Sequence, residues 1–258
     1  MSWAFNRAHV SRERSVKMSA DRGSQLGLAV FDLDGTLTTV RSPFLYVSEA
    51  FGVGSDARDI ADRYWRGEIS YRTWGREIAA LWSGRSTEEL RRVVAQIPYR
   101  PGVMAFLRRL KQSGVIVALL SVAFEQHVRP RGLELGVDYM ECNELHEEKG
   151  RLTGKFSHRV DHANKRELVR RLQRSYGKTP EHTLVAGDTT GDVAMFGEAV
   201  VSIAVDPESL VVQEAASLRL PNDDWGEAWN LINEQRPNWL PEPMRFARPN
   251  GTEAEPTL

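Results

Sequence analysis

Two aspartates separated by one leucine, Asp32 and Asp34, follow the apolar run Leu28–Phe31 and are followed at once by Gly35 and Thr36. Like charges repel, and burial raises the cost, so something nearby must reward the arrangement. A metal ion, a covalent reaction at one carboxylate, or a turn that simply needs Asp and Gly would each do so. Ser121 closes a second apolar run and Asp188 follows a third, with Asp192 one helical turn further on. Lys165 lies in a segment whose Leu168, Val169 and Leu172 fall on one helical face.

These residue types suit phosphorus chemistry. A carboxylate at a strand tip is a weak nucleophile, yet it can attack a phosphate whose charge is neutralised and whose geometry is in line. Asp32, Asp188 and Asp192 are candidates for a Mg²⁺ site, since that ion takes oxygen ligands and keeps several waters. Lys165 is a point charge able to cancel phosphate charge, and the Ser121 hydroxyl can donate to a phosphoryl oxygen. Asp34 is the candidate that protonates a leaving alcohol and then deprotonates the water that cleaves an aspartyl-phosphate.

Such a set needs a scaffold that brings distant residues together. The runs 28–32, 115–121 and 182–188 are apolar without alternation, as expected for strands covered on both faces. From 41 to 97 the character changes to four helices, with Gly52, Gly67 and Gly84 as stops and Ser70 and Ser86 as N-caps. The α/β pattern then resumes: a helix closed by Gly114, a strand ending at Ser121, and a helix that Pro130 is expected to break or kink. A hairpin around Lys149-Gly150, a helix over 162–177, a short helix over 193–199 and a last strand over 200–206 follow. Alternating strands and helices imply a doubly wound parallel sheet whose ligand site lies beyond the carboxyl ends of its strands. Asp32, Asp34, Ser121 and Asp188 all fall there.

Composition excludes little but is consistent. A hydrophobic fraction of 41% over 258 residues fits a globular α/β domain with a smaller insertion, and a net charge of −1 offers no field for nucleic acid. No apolar stretch approaches a membrane span, and the single Cys142 rules out an intrachain disulfide and fits a cytoplasmic protein. Tyr71, Trp74, Ile78 and Trp82 share a helical face and read as the core of the helical insertion rather than a substrate-facing wall. His127, His158, His162 and His182 lack metal-ligand spacing and read as surface or structural.

The motifs "FDLDGTLT" and "VIVALLS", Lys165 and "VAGDTTGDVAMF" resemble, in order and spacing, the four motifs of the haloacid dehalogenase superfamily. The segments "RPGVMAFLRRLKQSGVIVALLSVAF" and "NELHEEKGRLTGKFSHRVDHANKRELV" are similar to its phosphoserine-phosphatase-like branch. The resemblance implies a Rossmann-like core over 25–40 and 98–234 and a helical cap over 41–97. The flanks, a basic disordered arm over 1–24 and a Pro-rich tail over 235–258, lie outside it. It assigns Asp32 as nucleophile, Asp34 as acid/base, and Ser121 and Lys165 as phosphate-binding groups. Asp188 becomes a metal ligand, Asp192 a support of the metal site, and the main-chain carbonyl of Asp34 a further ligand. The expected activity is Mg²⁺-dependent hydrolysis of a small-molecule phosphomonoester, with no nucleic-acid or membrane partner.

Four positions depart from the branch. Arg41 stands where a glutamate usually holds the substrate amine, Val122-Ala123 replace two glycines, and Gly191 replaces an asparagine. Arg41 is therefore expected to touch the substrate, and phosphoserine is not the expected one. A phosphomutase, a dehalogenase and a catalytically silent phospho-ligand- or protein-binding homologue are the rival readings.

Overall fold

The computed structural model describes residues 25–243. The expected basic arm, and the expected tail beyond residue 243, lie outside the described residues. Strand β1 (Leu28–Phe31) is followed by four helices, α1 (Pro43–Ala50), α2 (Gly54–Trp65), α3 (Tyr71–Leu81) and α4 (Thr87–Ala95). Next come α5 (Val103–Gln112), β2 (Ile116–Phe124), α6 (Glu125–Glu134), β3 (Tyr139–Glu148) and β4 (Arg151–Ser157). The chain continues through α7 (Lys165–Tyr176), β5 (Thr183–Gly187), α8 (Thr190–Phe196), β6 (Val201–Ala204), α9 (Leu210–Ala215), β7 (Leu218–Arg219) and α10 (Ala228–Gln235).

The seven strands form one sheet in the order β4-β3-β2-β1-β5-β6-β7. Every neighbouring pair is parallel except β3 and β4, which form the antiparallel hairpin around Lys149-Gly150. β1 sits between β2 and β5, and the order reverses there. Both sheet faces are covered, which is why the strands lack polar alternation. Ala29, Phe31, Val117 and Leu119 face one layer with Phe106 and Leu110 of α5 and Ile232 of α10. Leu28, Val30, Ala118 and Leu120 face the other with Leu168, Val169 and Leu172 of α7.

Helices α1 to α4 share a third core with Phe124, Leu145, Leu152 and Phe156, which come from the end of β2 and the β3–β4 hairpin. Ser70 and Ser86 cap α3 and α4, their hydroxyls accepting from Thr73 N and Glu89 N. Gly52, Gly67 and Gly84 have left-handed backbones just beyond the ends of α1, α2 and α3. Within this layer the indole of Trp82 is fully buried and donates to Ser48 Oγ at 3.0 Å.

Two sequence expectations are corrected, and a third is made specific. Pro130 lies inside α6 without ending it; packing of Val128 and Leu135 on either side outweighs one missing hydrogen bond. β2 runs past Ser121 to Phe124. The segment expected to be a tail from 235 onward is anchored through Leu240. Trp239 and Leu240 are buried in the core, and Trp239 Nε1 donates to Glu181 O at 2.9 Å. Among the described residues no helix is long and apolar enough to cross a membrane.

Candidate active site

The central strand ends at Phe31, and the chain turns through Asp32, Asp34 and Gly35 at the sheet's carboxyl edge. Gly35 has φ +83°, and a Cβ there would overlap the Asp188 carboxylate, so this turn needs glycine as well as aspartate. The turn is braced from both sides. Arg100 Nε donates to Gly35 O at 2.8 Å and Trp225 Nε1 to Thr36 O at 3.1 Å.

Asp32, Asp34, Ser121, Lys165, Asp188 and Asp192 are all buried. Lys165, the first residue of α7, reaches Asp192 Oδ1 at 2.6 Å and stands 2.9 Å from Asp32 Oδ1. The second contact lacks hydrogen-bond geometry, leaving Asp32 Oδ1 in the ammonium's field but without a hydrogen-bond partner. Asp192 Oδ2 accepts from the backbone N–H groups of Asp188 and Thr189 and from Thr189 Oγ1. Both Asp192 oxygens are thereby engaged, Oδ1 with Lys165 and Oδ2 in holding the start of α8. Asp188 Oδ1 accepts from Thr36 Oγ1 at 2.8 Å, and its Oδ2 from Arg41 Nε at 3.1 Å.

Electrostatics follow from burial. Desolvation pushes the Asp32 carboxyl up to about 7 against the pull of Lys165, and the charges of Asp192 and Asp34 add to the rise. Asp188 is raised well above the carboxylate range by burial and by Asp192 and Asp32. Burial also opposes the Asp192 charge, but Lys165 and the Thr189 hydrogen bonds outweigh it and hold that carboxyl low. Oxygens of Asp32, Asp188 and Asp192 lie within 4.8 Å of one another. Crowded carboxylates with one unpartnered oxygen are a donor set that fits a hard divalent cation, which would relieve the repulsion raising two of them.

A cavity of about 350 Å³ opens above these groups. Asp32, Asp34 and Lys165 line its floor, while Phe44, Tyr64, Tyr71 and Trp74 line it from α1, α2 and α3. Along this aromatic stripe Trp74, Ile78 and Trp82 belong to the buried core, and Tyr71 and Trp74 also border the cavity. Trp74 Nε1 is buried without a partner, and Tyr71 donates to Val122 O at 2.6 Å. Arg41 lies on the cavity lining, but its guanidinium is taken up by Asp188 and by Asp206, 3.1 Å from each. Ser121 Oγ donates to Asp34 Oδ2 at 3.2 Å and accepts from Ala123 N.

Two histidines read as surface or structural belong to this region. His127 is buried with Nε2 2.7 Å from Asp34 Oδ1. His162 lines the cavity, and its Nδ1 is buried without a partner. Burial and then the Lys165 charge hold His162 below the usual imidazole range. The one sequence signal for His127 was its i,i+4 spacing to Arg131, which puts both on one face of α6. No local pattern pointed at Asp34.

The chain is 34% identical over 185 residues to a phosphoserine phosphatase of Archaeoglobus fulgidus, covering 71% of this chain and 54% of that protein. It is 30% identical over 190 residues to a phosphoserine phosphatase of Streptococcus thermophilus, covering 73% and 88%. It spans about half the length of the Archaeoglobus fulgidus and Streptomyces coelicolor relatives, 54% and 46%. Among solved structures, a phospho-aspartyl intermediate analogue of a phosphoserine phosphatase superposes with a TM-score of 0.71 at 24% identity, covering 80% of this chain and 98% of that one. The family profile described as haloacid dehalogenase-like hydrolase matches residues 29–197. With that match covering β2 to β5, nearly all of β1, and Asp32, Asp34, Asp188 and Asp192, the chain belongs to the haloacid dehalogenase-like hydrolases.

Proposed function

We propose that this chain hydrolyses a phosphomonoester of a small molecule through a covalent phosphate on Asp32. The observation that carries the reading is Asp32: buried, bordering the cavity, with Oδ1 held 2.9 Å from Lys165 Nζ and no other polar side chain on that oxygen. An oxygen so held is available to attack.

In the first step an Asp32 oxygen bonds to phosphorus, the ester P–O bond breaks, and Asp34 gives a proton to the departing oxygen. In the second, water attacks phosphorus, Asp34 takes its proton, and the acyl-phosphate P–O bond breaks to return Asp32 and release inorganic phosphate. Lys165 and Ser121 hold phosphoryl oxygens in both steps. Mg²⁺, held by Asp32, Asp188 and the Asp34 main-chain carbonyl with Asp192 in support, would neutralise phosphate charge. Helices α1 to α4 act as a cap that covers the cavity and excludes bulk water.

The relatives' names speak for phosphoserine as substrate, whereas the residues around the cavity speak for a different leaving group. Arg41 replaces the amine-binding glutamate and is committed to Asp188 and Asp206. Glu208, another carboxylate on the lining, accepts from Thr190 N. The remaining wall is largely aromatic, which suits a neutral or aromatic group. The deciding experiment measures phosphate release with Mg²⁺ from phosphoserine, sugar phosphates and aryl phosphates. Release from sugar or aryl esters with phosphoserine poor supports the reading. No release from any ester removes the phosphatase assignment, and phosphoserine leading the panel removes the substrate argument alone.

A further inference from the structure

His127 is 1% exposed and Asp34 4%, and their contact is 2.7 Å between Nε2 and Oδ1. The other ring nitrogen, Nδ1, faces Arg131 Nε at 3.4 Å. A guanidinium can only donate, so Nδ1 accepts and the ring proton sits on Nε2, aimed at Asp34. Arg131 is itself fixed, its Nη2 donating to Val94 O at 2.7 Å and Ile97 O at 2.6 Å, at the end of α4 and just beyond it. The ring borders a separate cleft with Arg131 and Tyr99, while Asp34 borders the site cavity. The bond to Oδ1 therefore arrives from behind the carboxylate. Oδ2, which Ser121 touches, is the oxygen left for the cavity.

We propose that His127 is a positioning residue for Asp34: its Nε2–H pins Oδ1, so that Oδ2 is presented for proton exchange with the leaving oxygen and the attacking water. Arg131 fixes the imidazole tautomer and ties this bond to the end of α4. A carboxylate free to rotate would spend much of its time with neither oxygen in line, and misplacement by an ångström costs a catalytic group about a hundredfold. The inference rests on the phosphatase reading, with Asp34 as the acid/base.

The test uses the full chain with Mg²⁺, an alkyl ester (glycerol phosphate) and an aryl ester (4-nitrophenyl phosphate). The alkyl alcohol needs a proton as it leaves, whereas nitrophenolate leaves without one. His127→Leu is expected to lower kcat/KM for the alkyl ester about tenfold more than for the aryl ester. His127→Gln, whose amide nitrogen reaches about as far as Nε2, is expected to restore the ratio. His127→Asn, one methylene shorter, is not. An equal loss on both esters in a folded protein, or no loss, overturns the inference, as does Gln behaving like Asn. If the Leu variant does not fold, the Gln-to-Asn comparison decides alone. Wild type inactive on both esters defeats the phosphatase reading itself, a result distinct from active wild type with an unchanged His127→Leu ratio.

Discussion

The imidazole of His162 occupies the space that a side chain at position 191 would need: a Cβ built on Gly191 would overlap His162 Nδ1. The family's usual asparagine is absent here and a histidine from the loop before α7 fills its place, so the two positions should be coupled. Gly191→Asn is expected to destabilise the protein by about 1–3 kcal/mol through overpacking. At roughly 2–4 °C per kcal/mol for a chain of this size, calorimetry would see the change. Adding His162→Ala should recover most of it. Additive effects in the double-mutant cycle would show that the two sites are independent.

Replacing the proposed nucleophile should separate activity from stability. Asp32→Asn removes the attacking oxygen and is expected to abolish phosphate release. It also removes one of several crowded buried carboxylates, so the metal-free variant should melt no lower than wild type. Asp34→Asn is expected to cut turnover about 10²–10⁴-fold. Appreciable turnover in Asp32→Asn would refute covalent catalysis at this residue.

Metal and protons should compete for the same oxygens. Because the folded carboxyl of Asp32 is raised from 3.8 to about 7, its neutral form favours the metal-free fold. That contribution is complete below about pH 4 and is lost as pH rises through 7. Mg²⁺ needs the charged form, so the rise in Tm that it causes should be larger at pH 8 than at pH 5.5. Chelation should abolish activity, and restored Mg²⁺ should return it. A Tm response to Mg²⁺ that does not change with pH would contradict the assignment of Asp32 as a ligand.

Arg41 places a cation where a bound ion would also act. Its Nε lies 3.1 Å from Asp188 Oδ2, with the side chain 39% exposed. Arg41→Met should tighten Mg²⁺ binding about fivefold, the equivalent of roughly 1 kcal/mol for a partly screened unit charge. The same change should lower the Tm of the metal-free protein, since Asp188 loses its counter-charge. Isothermal titration measures the first effect and calorimetry the second. Weaker Mg²⁺ binding in the variant would mean that Arg41 supports the ion instead of competing with it.

The sequence made the sheet and much of the site legible because the relevant signals are local. Apolar runs ended in Asp32, Ser121 and Asp188, and serine caps and left-handed glycines marked the helices of 43–95. Lys149-Gly150 marked the hairpin that makes β4 the one antiparallel strand among the described residues. What escaped was decided by tertiary partners. No local pattern ties His127 to Asp34 or His162 to Gly191, because those partners lie far away in the chain. β7 has two residues, too few for any period, and Trp239 lies in a Pro-rich stretch whose composition reads as loop although its ring is buried. Arg41 sits at the mouth of the site as its position suggests, but which carboxylates would claim it could not be read from one dimension.

The central place of β1 has a consequence for how the protein is made. Both edges of β1 are completed by later segments, β2 on one side and β5 on the other. A ribosome delivers residues 28–31 long before 183–187, so the most apolar strand leaves the tunnel with no partner on either side. Its turn is braced later still, when Trp225 emerges to hold Thr36 O. Helices α1 to α4 emerge meanwhile and bury a core built largely from their own side chains. Their early collapse would give the nascent chain a folded unit beside an open strand edge, the element most exposed to mispairing until β5 has emerged.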